Sequence, residues 1–478
     1  MNNPVASELT VTPLSLPAHY DMATLFSHYA DQDWAMLLDS ANSQHQDGRF
    51  DLMVAAPAAT VITTGDSSSI WHRLDDRRLT STDDPLVLLQ QLVDEYIPQE
   101  KSDKNKPGAN VHHHLPFKAG AMGYFGYDLG RRFETLPTLA NAHLRAPDMA
   151  FGIYTWSVIK DNQNGAFYYC SVDSTAGPGA DAVNALAHNT QSAGDFALLS
   201  PWQANMSRGG YMQKMHCISD YLRAGDCYQV NLAQRFSAHY AGNEYQAYLR
   251  LRTANQAPFS AFMRIEGNVI LSISPERFLA VNGDKVQSKP IKGTRPRATD
   301  PVCDQANIDA LLASEKDQAE NLMIVDLLRN DLSKSCQPDS VEVPQLFQIE
   351  SFAAVHHLVS TVTGTLAQNC TPIDLLRGAF PGGSITGAPK IRAMEIIEEL
   401  EPHRRNIYCG SIGYLGLNRD MDTSICIRTL LCEDNTIYCW AGGGIVMDSV
   451  ADEEYQESLD KVCKILPLLS QQQMINDD

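Results

Sequence analysis

The chain has 478 residues, of which 37 are Lys or Arg and 57 are Asp or Glu, so its formal charge is −20. This charge disfavours binding to nucleic acids and to anionic membranes, because both depend on cationic side chains. Apolar residues make up 44% of the chain, which is enough for a packed core and argues against disorder. The sequence has no apolar run of the roughly 20 residues that a membrane helix needs, and its first residues do not resemble a signal peptide.

Eleven cysteines are scattered along the chain without a Cys-x-x-Cys pair. An odd number without metal-ligand spacing is typical of reduced thiols, so we expect a cytoplasmic protein. Residues 99–114 are polar and are predicted to form an exposed loop. A second segment, residues 174–200, is rich in Ala, Gly, Asp and Asn. It divides the chain into a predicted N-terminal region, 1–200, and a C-terminal region, 201–478.

The clearest predicted elements lie in the C-terminal region. Three alternating or β-branched runs surround an Asn-Gly pair, which is a strong hairpin signal; they cover 268–273, 277–281 and 285–291. A second antiparallel set is predicted at 407–415, 423–432 and 436–441. Long helices are predicted at 307–332, 389–401 and 452–469. Strands interleaved with long helices indicate an α+β fold with a substantial antiparallel sheet.

Two acidic couples lie on predicted helices of this region. Asp317 and Glu320 form one couple, and Glu454 and Glu457 form the other. A spacing of i, i+3 places both carboxylates of a couple on one face of a helix. Four converging carboxylates would repel one another unless a hard cation such as Mg²⁺ lay between them. The alternative is that both couples belong to solvated helix faces.

A basic segment and two glycine-rich segments could bind an anion. Residues 288–297, SKPIKGTRPR, carry four cations and no acid, which suits a negatively charged ligand; the alternative is an exposed strand edge protected by lysines. The glycine-rich segments, 381–390 and 442–445, could present backbone N–H groups to an anion. Neither fits a known phosphate-binding fingerprint, and plain tight turns are the alternative for both.

In their order along the chain, these segments resemble the chorismate-utilising enzymes, the family that includes anthranilate and isochorismate synthases. The matching stretches within about 200–470 are AGDCYQVNL (224–232), SPERF (274–278), PIKGTRP (290–296), AENLMIVDL (319–327), RND (329–331), HLVS (357–360), PGGSITGAPK (381–390), YCG (408–410), IR (427–428) and residues 442–457. The resemblance implies an α+β fold with two stacked, mainly antiparallel sheets as a sandwich and helices on the outside. It also implies that the N-terminal and C-terminal parts interleave.

The N-terminal region resembles the family weakly, through Leu-Leu-Asp-Ser at 37–40. This sequence is similar to the Leu-Leu-Glu-Ser element of the tryptophan pocket in feedback-inhibited anthranilate synthases. Asp39 replaces the glutamate. We therefore expect a structural remnant at 37–40 in place of a feedback site.

One position distinguishes the reactions of the family. Anthranilate-forming members resemble Pro-Ile-Ala-Gly-Thr where this chain has Lys292 in place of the alanine. A lysine there is typical of members that aminate chorismate at C4 to 4-amino-4-deoxychorismate, on the route to p-aminobenzoate and folate. Gln229 stands where water-activating isochorismate synthases carry a lysine, and this disfavours an isochorismate product.

The resemblance also implies roles for single residues. Lys292 would be the nucleophile, with a lowered pKa, and Glu276 the general acid, with a raised pKa. His357 is expected to polarise the region of the C4 hydroxyl, with a buried structural histidine as the alternative. The implied substrate-binding residues are Arg428, Tyr408, Gly442, Gly444, Thr294, Ser384 and Gly293. The implied Mg²⁺ ligands are Glu320 and Glu457, with Asp317 and Glu454 as direct or water-bridged partners.

The family members that make amines resemble one another in taking ammonia from a separate glutamine amidotransferase subunit. This chain shows no fused glutaminase, so we expect such a partner, with chorismate and ammonia as substrates and Mg²⁺ as cofactor. One alternative is an anthranilate-forming enzyme. The other is a non-catalytic regulatory or binding subunit on the same scaffold.

Overall fold

The computed structural model describes residues 9–17, 19–43, 45–98, 112, 114–173, 177–186, 194–352 and 355–470. Most of the described residues belong to two large sheets with antiparallel pairing and to the helices that pack on them. The α+β fold predicted from the sequence is therefore confirmed. Within the described part of the chain, no helix is both long enough and apolar enough to cross a membrane.

The first sheet has 13 strands. These are β1 (Thr10–Leu14), β2 (Met36–Asp39), β3 (Phe50–Val54), β9 (Trp156–Asp161), β10 (Ala166–Ser171), β11 (Phe196–Leu198), β12 (Gln203–Ala204), β13 (Gln229–Gly242), β14 (Phe259–Ile265), β15 (Asn268–Ser274), β21 (Gly387–Ala388), β24 (Thr429–Glu433) and β25 (Thr436–Ile445). Their order is β1-β10-β9-β3-β2-β14-β15-β24-β25-β13-β11, and β12 and β21 also pair with β13.

The second sheet has 12 strands. These are β4 (Ala59–Thr64), β5 (Ser67–His72), β6 (Arg77–Ser81), β7 (Gly120–Phe125), β8 (Met149–Tyr154), β16 (Arg277–Asn282), β17 (Lys285–Ser288), β18 (Ile291–Pro296), β19 (Glu342–Ser351), β20 (Val355–Thr365), β22 (Ser411–Gly416) and β23 (Met421–Ile425). Their order is β18-β20-β17-β16-β23-β22-β7-β8-β4-β5-β6, and β19 also pairs with β20.

The helices connect the strands of both sheets. They are α1 (Met22–Phe26), α2 (Pro85–Tyr96), α3 (Ala180–Leu186), α4 (Arg208–Ala224), α5 (Glu244–Asn255), α6 (Pro301–Leu312), α7 (Glu315–Ser333), α8 (Pro372–Ala379), α9 (Lys390–Leu400), α10 (Ala451–Asp460) and α11 (Leu466–Ser470). The largest core cluster joins residues of both sheets, such as Leu52 of β3 and Met122 of β7. A smaller cluster joins α4 and α9 to the first sheet, through residues such as Ile218 and Val230.

Local structure differs from the sequence-based prediction at four places. The strand predicted at 423–432 is divided between β23 of the second sheet and β24 of the first. The helix predicted at 307–332 is two helices, because Ser314 caps α7 by accepting a hydrogen bond from the Asp317 N–H. The helix predicted at 452–469 ends at Asp460, and α11 follows after a turn. The run predicted at 285–291 is also divided, between β17 and β18. The hairpin at Asn282-Gly283 is confirmed, since Asn282 pairs with Lys285.

Candidate active site

Two chain crossovers between the sheets meet at the centre of the candidate site. The chain passes from β15 to β16 at Glu276 and from β23 to β24 at Arg428, so each residue lies where the chain changes sheets. The Glu276 carbonyl accepts a hydrogen bond from the Ile425 N–H at 3.0 Å, and the Arg428 carbonyl accepts one from the Ile273 N–H at 3.2 Å. These bonds fix the two crossovers side by side.

Lys292 lies inside β18, opposite Leu358 of β20, where a β-bulge shifts the register before Thr294. Gly293 forms the bulge with φ +61°, and a Cβ there would lie 2.9 Å from Cγ of Asp317. The position therefore requires glycine. Lys292 therefore lies within a strand, directly before an irregularity in its pairing with β20.

The Lys292 ammonium donates to the Ser384 carbonyl at 3.3 Å. Burial lowers the pKa of Lys292 below its ordinary value, and the carboxylates of Glu320 and Glu276 oppose that shift. A lysine of this kind is neutral at a lower pH than an exposed one. Its nitrogen is correspondingly more available as a nucleophile.

Glu276 is 4% exposed and accepts a hydrogen bond from the Ser384 hydroxyl at 3.1 Å. Burial raises the pKa of Glu276 to about 7, although nearby Lys292 and the Ser384 bond act in the opposite direction. Near neutral pH this carboxyl group is therefore protonated part of the time, as a general acid requires. The same residue, Ser384, thus contacts the predicted acid through its hydroxyl and the predicted nucleophile through its carbonyl.

Ser384 belongs to the 381–389 loop, which joins α8 to α9. Gly383 lies against α7 so closely that a Cβ there would stand 2.1 Å from Cδ2 of Leu327. The end of the loop, β21, pairs with the start of β13. Gly383 thus allows a close approach of the loop to α7, and Ser384 beside it contacts both Lys292 and Glu276.

His357 and Thr294 face each other across β18 and β20. Nδ1 of His357 lies 3.0 Å from the Thr294 hydroxyl and 3.3 Å from the Gly293 carbonyl, while Nε2 is buried and has no hydrogen-bond partner among the described residues. Burial lowers the pKa of His357 to about 3, with Arg428 acting in the same direction. A neutral ring whose Nδ1–H donates to Gly293 leaves Nε2 as a free acceptor.

The Arg428 side chain has no hydrogen bond or ion pair within the described ranges. Burial lowers the pKa of its guanidinium below the ordinary value. An unpaired guanidinium in an enclosed place is suited to a carboxylate ligand, which it can bind with two parallel hydrogen bonds. The Tyr408 ring, 5% exposed, stacks on Trp440 with ring centroids 6.2 Å apart.

The predicted metal-binding acids come from α7 and α10. Glu454 is 3% exposed and accepts hydrogen bonds from Ser449 and Lys316, whereas Glu457 pairs with Lys461 at 2.7 Å. A Cβ on Gly443 would lie 3.3 Å from Oε2 of Glu454 and 3.5 Å from Oε1 of Glu457. Both carboxylates therefore border one space that this glycine leaves open.

The two acids of the first predicted couple, Asp317 and Glu320, have different surroundings. Burial raises the pKa of Glu320, and the charges of Glu454 and Asp317 add to this effect. Asp317 itself is paired with Arg295 at 3.3 Å. No three of the four acids have carboxylate oxygens within 4.8 Å of one another in the described structure. The only group there whose ligand atoms are that close is His45, Asp47 and Glu350.

The residues at the site nevertheless fit Mg²⁺. The donors are hard carboxylate oxygens, and Mg²⁺ in enzymes is usually held by one or two carboxylates, waters and substrate oxygens instead of a complete protein cage. The lysines at 316 and 461, which sequence analysis did not select, pair with Glu454 and Glu457. The i, i+4 spacing of Glu457 and Lys461 is the feature of the sequence that indicates their ion pair.

Gly442 and Gly444 lie in β25, paired with Ala233 and Asn231 of β13. The Gly442 carbonyl accepts a hydrogen bond from Lys461 at 2.8 Å. A Cβ on Gly444 would stand 2.6 Å from Nε2 of Gln229, so glycine leaves space for that buried carboxamide. Gly443, between these two glycines, borders the acids, and Gly444 borders Gln229.

Residues 37–40 lie away from these groups, in β2 and the residue after it. Asp39 pairs with Arg252 and accepts a hydrogen bond from Tyr248 at 2.8 Å, so its carboxylate already has internal partners. A cavity of about 350 Å³ adjoins Asp39 and is also lined by Phe50 and Arg277.

The model of the chorismate binding enzyme family matches residues 34–467. The chain belongs to this family, and the family predicted from the sequence motifs is confirmed. Aminodeoxychorismate synthase component 1 of Klebsiella aerogenes is 51% identical over 459 residues, which cover 96% of this chain and 99% of the relative. The protein of the same name from Escherichia coli is 50% identical, covering 93% and 95%.

A solved structure, anthranilate synthase component I from Streptococcus pneumoniae, superposes with a TM-score of 0.74 at 30% sequence identity. The match covers 87% of this chain and 92% of that one. The sandwich of two sheets is thus a fold that the family shares, while sequence identity is higher to the aminodeoxychorismate synthases named above.

Proposed function

We propose that the chain is an aminodeoxychorismate synthase component 1, which converts chorismate and ammonia to 4-amino-4-deoxychorismate. The observation that carries the proposal is the bridge through Ser384, which places the amine of Lys292 beside the carboxyl group of Glu276. The names and the identities of the two enterobacterial relatives support it.

The proposed reaction has two displacements. The neutral Lys292 amine bonds to C2 of chorismate, both ring double bonds shift by one position, and the C4–O bond breaks. Glu276 gives its proton to the departing hydroxyl, which leaves as water. Ammonia then bonds to C4, both double bonds shift back, and the C2–N bond to Lys292 breaks. C4 is trigonal in the intermediate, so ammonia that adds from the face the hydroxyl left retains the configuration. One difficult substitution thus becomes two easier steps.

The remaining residues have proposed roles in binding. The Arg428 guanidinium would hold the enolpyruvyl carboxylate, with Tyr408 beside it. The free Nε2 of His357 would accept a hydrogen bond from the C4 hydroxyl, which orients that group. Thr294 holds the other ring nitrogen of His357 in place. Glu320 and Glu457, with Glu454 and Asp317 near them, would hold Mg²⁺, which neutralises the ring carboxylate when bound.

The test of the proposal is the mass of the protein during turnover without ammonia. Quenched protein incubated with chorismate and Mg²⁺ should gain the mass of chorismate less one water, and peptide mapping should locate the addition at Lys292. A protein that stays unmodified without ammonia, yet forms the product once ammonium is added, would contradict the covalent route.

We expect Glu320→Gln to weaken Mg²⁺ binding by at least about 10-fold, because a metal ligand loses its charge. Titration calorimetry with chorismate present measures binding directly, and the rate at saturating Mg²⁺ shows whether the loss is in affinity alone. Glu315→Gln is the matched control, since Glu315 is exposed at the start of the same helix. Equal Mg²⁺ affinity in both variants would exclude Glu320 from the metal site.

We further propose that a glutamine amidotransferase subunit supplies the ammonia, as the component 1 names of the relatives suggest. The isolated chain should form product from chorismate and ammonium salts at high pH, where free ammonia is abundant. Glutamine in place of ammonium should give no product until the partner is added. Chromatography of the products decides the matter, and a chain inert with ammonium would favour a non-catalytic subunit.

A further inference from the structure

Arg405 is a buried arginine outside the set of groups assigned above. It lies between α9 and β22 and is 1% exposed. Its guanidinium donates to both carboxylate oxygens of Glu401, at 2.7 and 3.0 Å. It also donates to the Ile385 carbonyl at 2.9 Å and to the Asn231 carbonyl at 3.1 Å. Four of its five N–H donors can thus be satisfied by protein groups.

The hydrogen bond to the Ile385 carbonyl connects Arg405 to the candidate active site. Ile385 directly follows Ser384, whose carbonyl holds Lys292 and whose hydroxyl holds Glu276. A hydrogen bond to the next carbonyl restricts the backbone adjacent to Ser384, the residue that makes both contacts. Arg405 therefore restrains the backbone next to Ser384 through a contact separate from those of Lys292 and Glu276.

The other contacts of Arg405 tie this peptide to fixed elements. Glu401, its ion-pair partner, also accepts a hydrogen bond from the Ala233 N–H of β13 at 2.9 Å. The guanidinium carbon lies 4.9 Å from the Tyr127 ring centroid and 5.7 Å from that of Tyr408. A cation over two aromatic faces in an enclosed place is held firmly. Arg405 thus contacts the 381–389 loop, β13 and the segment that contains Tyr408.

We infer that Arg405 is a positioning residue for the proposed reaction: by holding the Ile385 carbonyl, it keeps Ser384 in contact with both Lys292 and Glu276. The inference rests on the proposed function. Lysine could not replace Arg405 in this role, because three donors on one nitrogen cannot reach Glu401, Ile385 and Asn231 together, whereas the planar guanidinium has separate N–H groups for each.

Arg405→Lys tests the inference in single-turnover formation of the Lys292 adduct, measured by intact mass without ammonia. We expect adduct formation to slow by about 10- to 100-fold, because small displacements of reacting groups have effects of this size. The half-saturating chorismate concentration should change far less, since the Arg428 guanidinium is untouched. In the Arg405→Lys variant, removal of the Ser384 hydroxyl should also change the rate less than it does in the wild type.

The Ser384 hydrogen bond lowers the pKa of Glu276, so its loss should move the alkaline limb of the pH profile upward. Lys292, Arg428 and Cys409 also interact with Glu276, and Arg405→Lys replaces none of these residues. Ser384→Ala should shift the limb in the same direction. In the double variant the two effects should fall short of additive, because Arg405 acts through Ser384.

The matched control is Arg252→Lys, at another buried arginine paired with two carboxylates, those of Asp21 and Asp39. It should lower stability without slowing adduct formation. If Arg405→Lys does not fold, Glu401→Gln keeps the side-chain volumes and carries the same prediction with a smaller effect.

Wild-type rates and an unmoved pH limb in Arg405→Lys, or full additivity with Ser384→Ala, would overturn the inference while the proposed function stands. A wild-type protein that forms no adduct would contradict the proposed function, and the inference with it.

Discussion

Lys292→Ala is expected to reduce formation of 4-amino-4-deoxychorismate by at least about 10³-fold, because alanine has no nitrogen to form the covalent intermediate. Lys292→Arg should be equally inactive, since a guanidinium keeps the charge but stays protonated at the relevant pH. Product analysis by chromatography, with ammonium salts as the nitrogen source, measures the effect.

The control for this prediction is Lys285→Ala. Lys285 is an exposed lysine of β17 whose ammonium contacts only the Thr365 hydroxyl and Asp284 among the described residues. We expect its removal to leave the rate unchanged. Unaltered product formation by Lys292→Ala would refute the proposed mechanism, and anthranilate as its sole product, also in the wild-type protein, would favour the anthranilate-forming alternative.

Glu276→Gln is expected to slow adduct formation by about 10²- to 10⁴-fold, the usual contribution of a general acid. In the wild-type protein the rate should fall as the pH rises through about 7, because the protonated carboxyl group is the active form and its pKa is raised to that value. The variant should lack this limb. A pH profile of single-turnover adduct formation avoids the separate titration of ammonium.

The same substitution should raise stability in alkaline solution. Since the pKa of Glu276 is higher in the folded protein than in the unfolded chain, where it is near 4.5, the folded state binds the proton more tightly. Stability is therefore lost as the pH rises from 4.5 through about 7. Glutamine removes this loss, which is worth up to roughly 3 kcal/mol above pH 7.

Thermal unfolding at pH 5 and pH 8 tests whether Glu276→Gln raises stability only at the higher pH. Glu276→Gln should melt higher than the wild type at pH 8 and close to it at pH 5. An inactive variant that is more stable would be the expected signature of a functional group held against its preferred ionisation state. A variant destabilised equally at both pH values would show that Glu276 has a structural role.

Local signals in the sequence were sufficient for several elements. Asn282-Gly283 predicts its hairpin because few residues tolerate the left-handed backbone of a tight turn. The resemblance of PIKGTRP and SPERF to family motifs selected Lys292 and Glu276 before their surroundings were known. The break between α6 and α7 was missed because the apolar spacing continues through it, and only the cap at Ser314 shows where the second helix begins.

The sequence by itself determined the α+β class, the family and the chemical types at the site, since these follow from composition, side-chain period and motif. Tertiary structure alone decided that Ser384 reaches Lys292 and Glu276, each about a hundred positions away, and that Arg405 anchors it. The reason is that pairing between distant strands and the path of a loop across a helix depend on the packing of the whole sandwich, which no local pattern encodes.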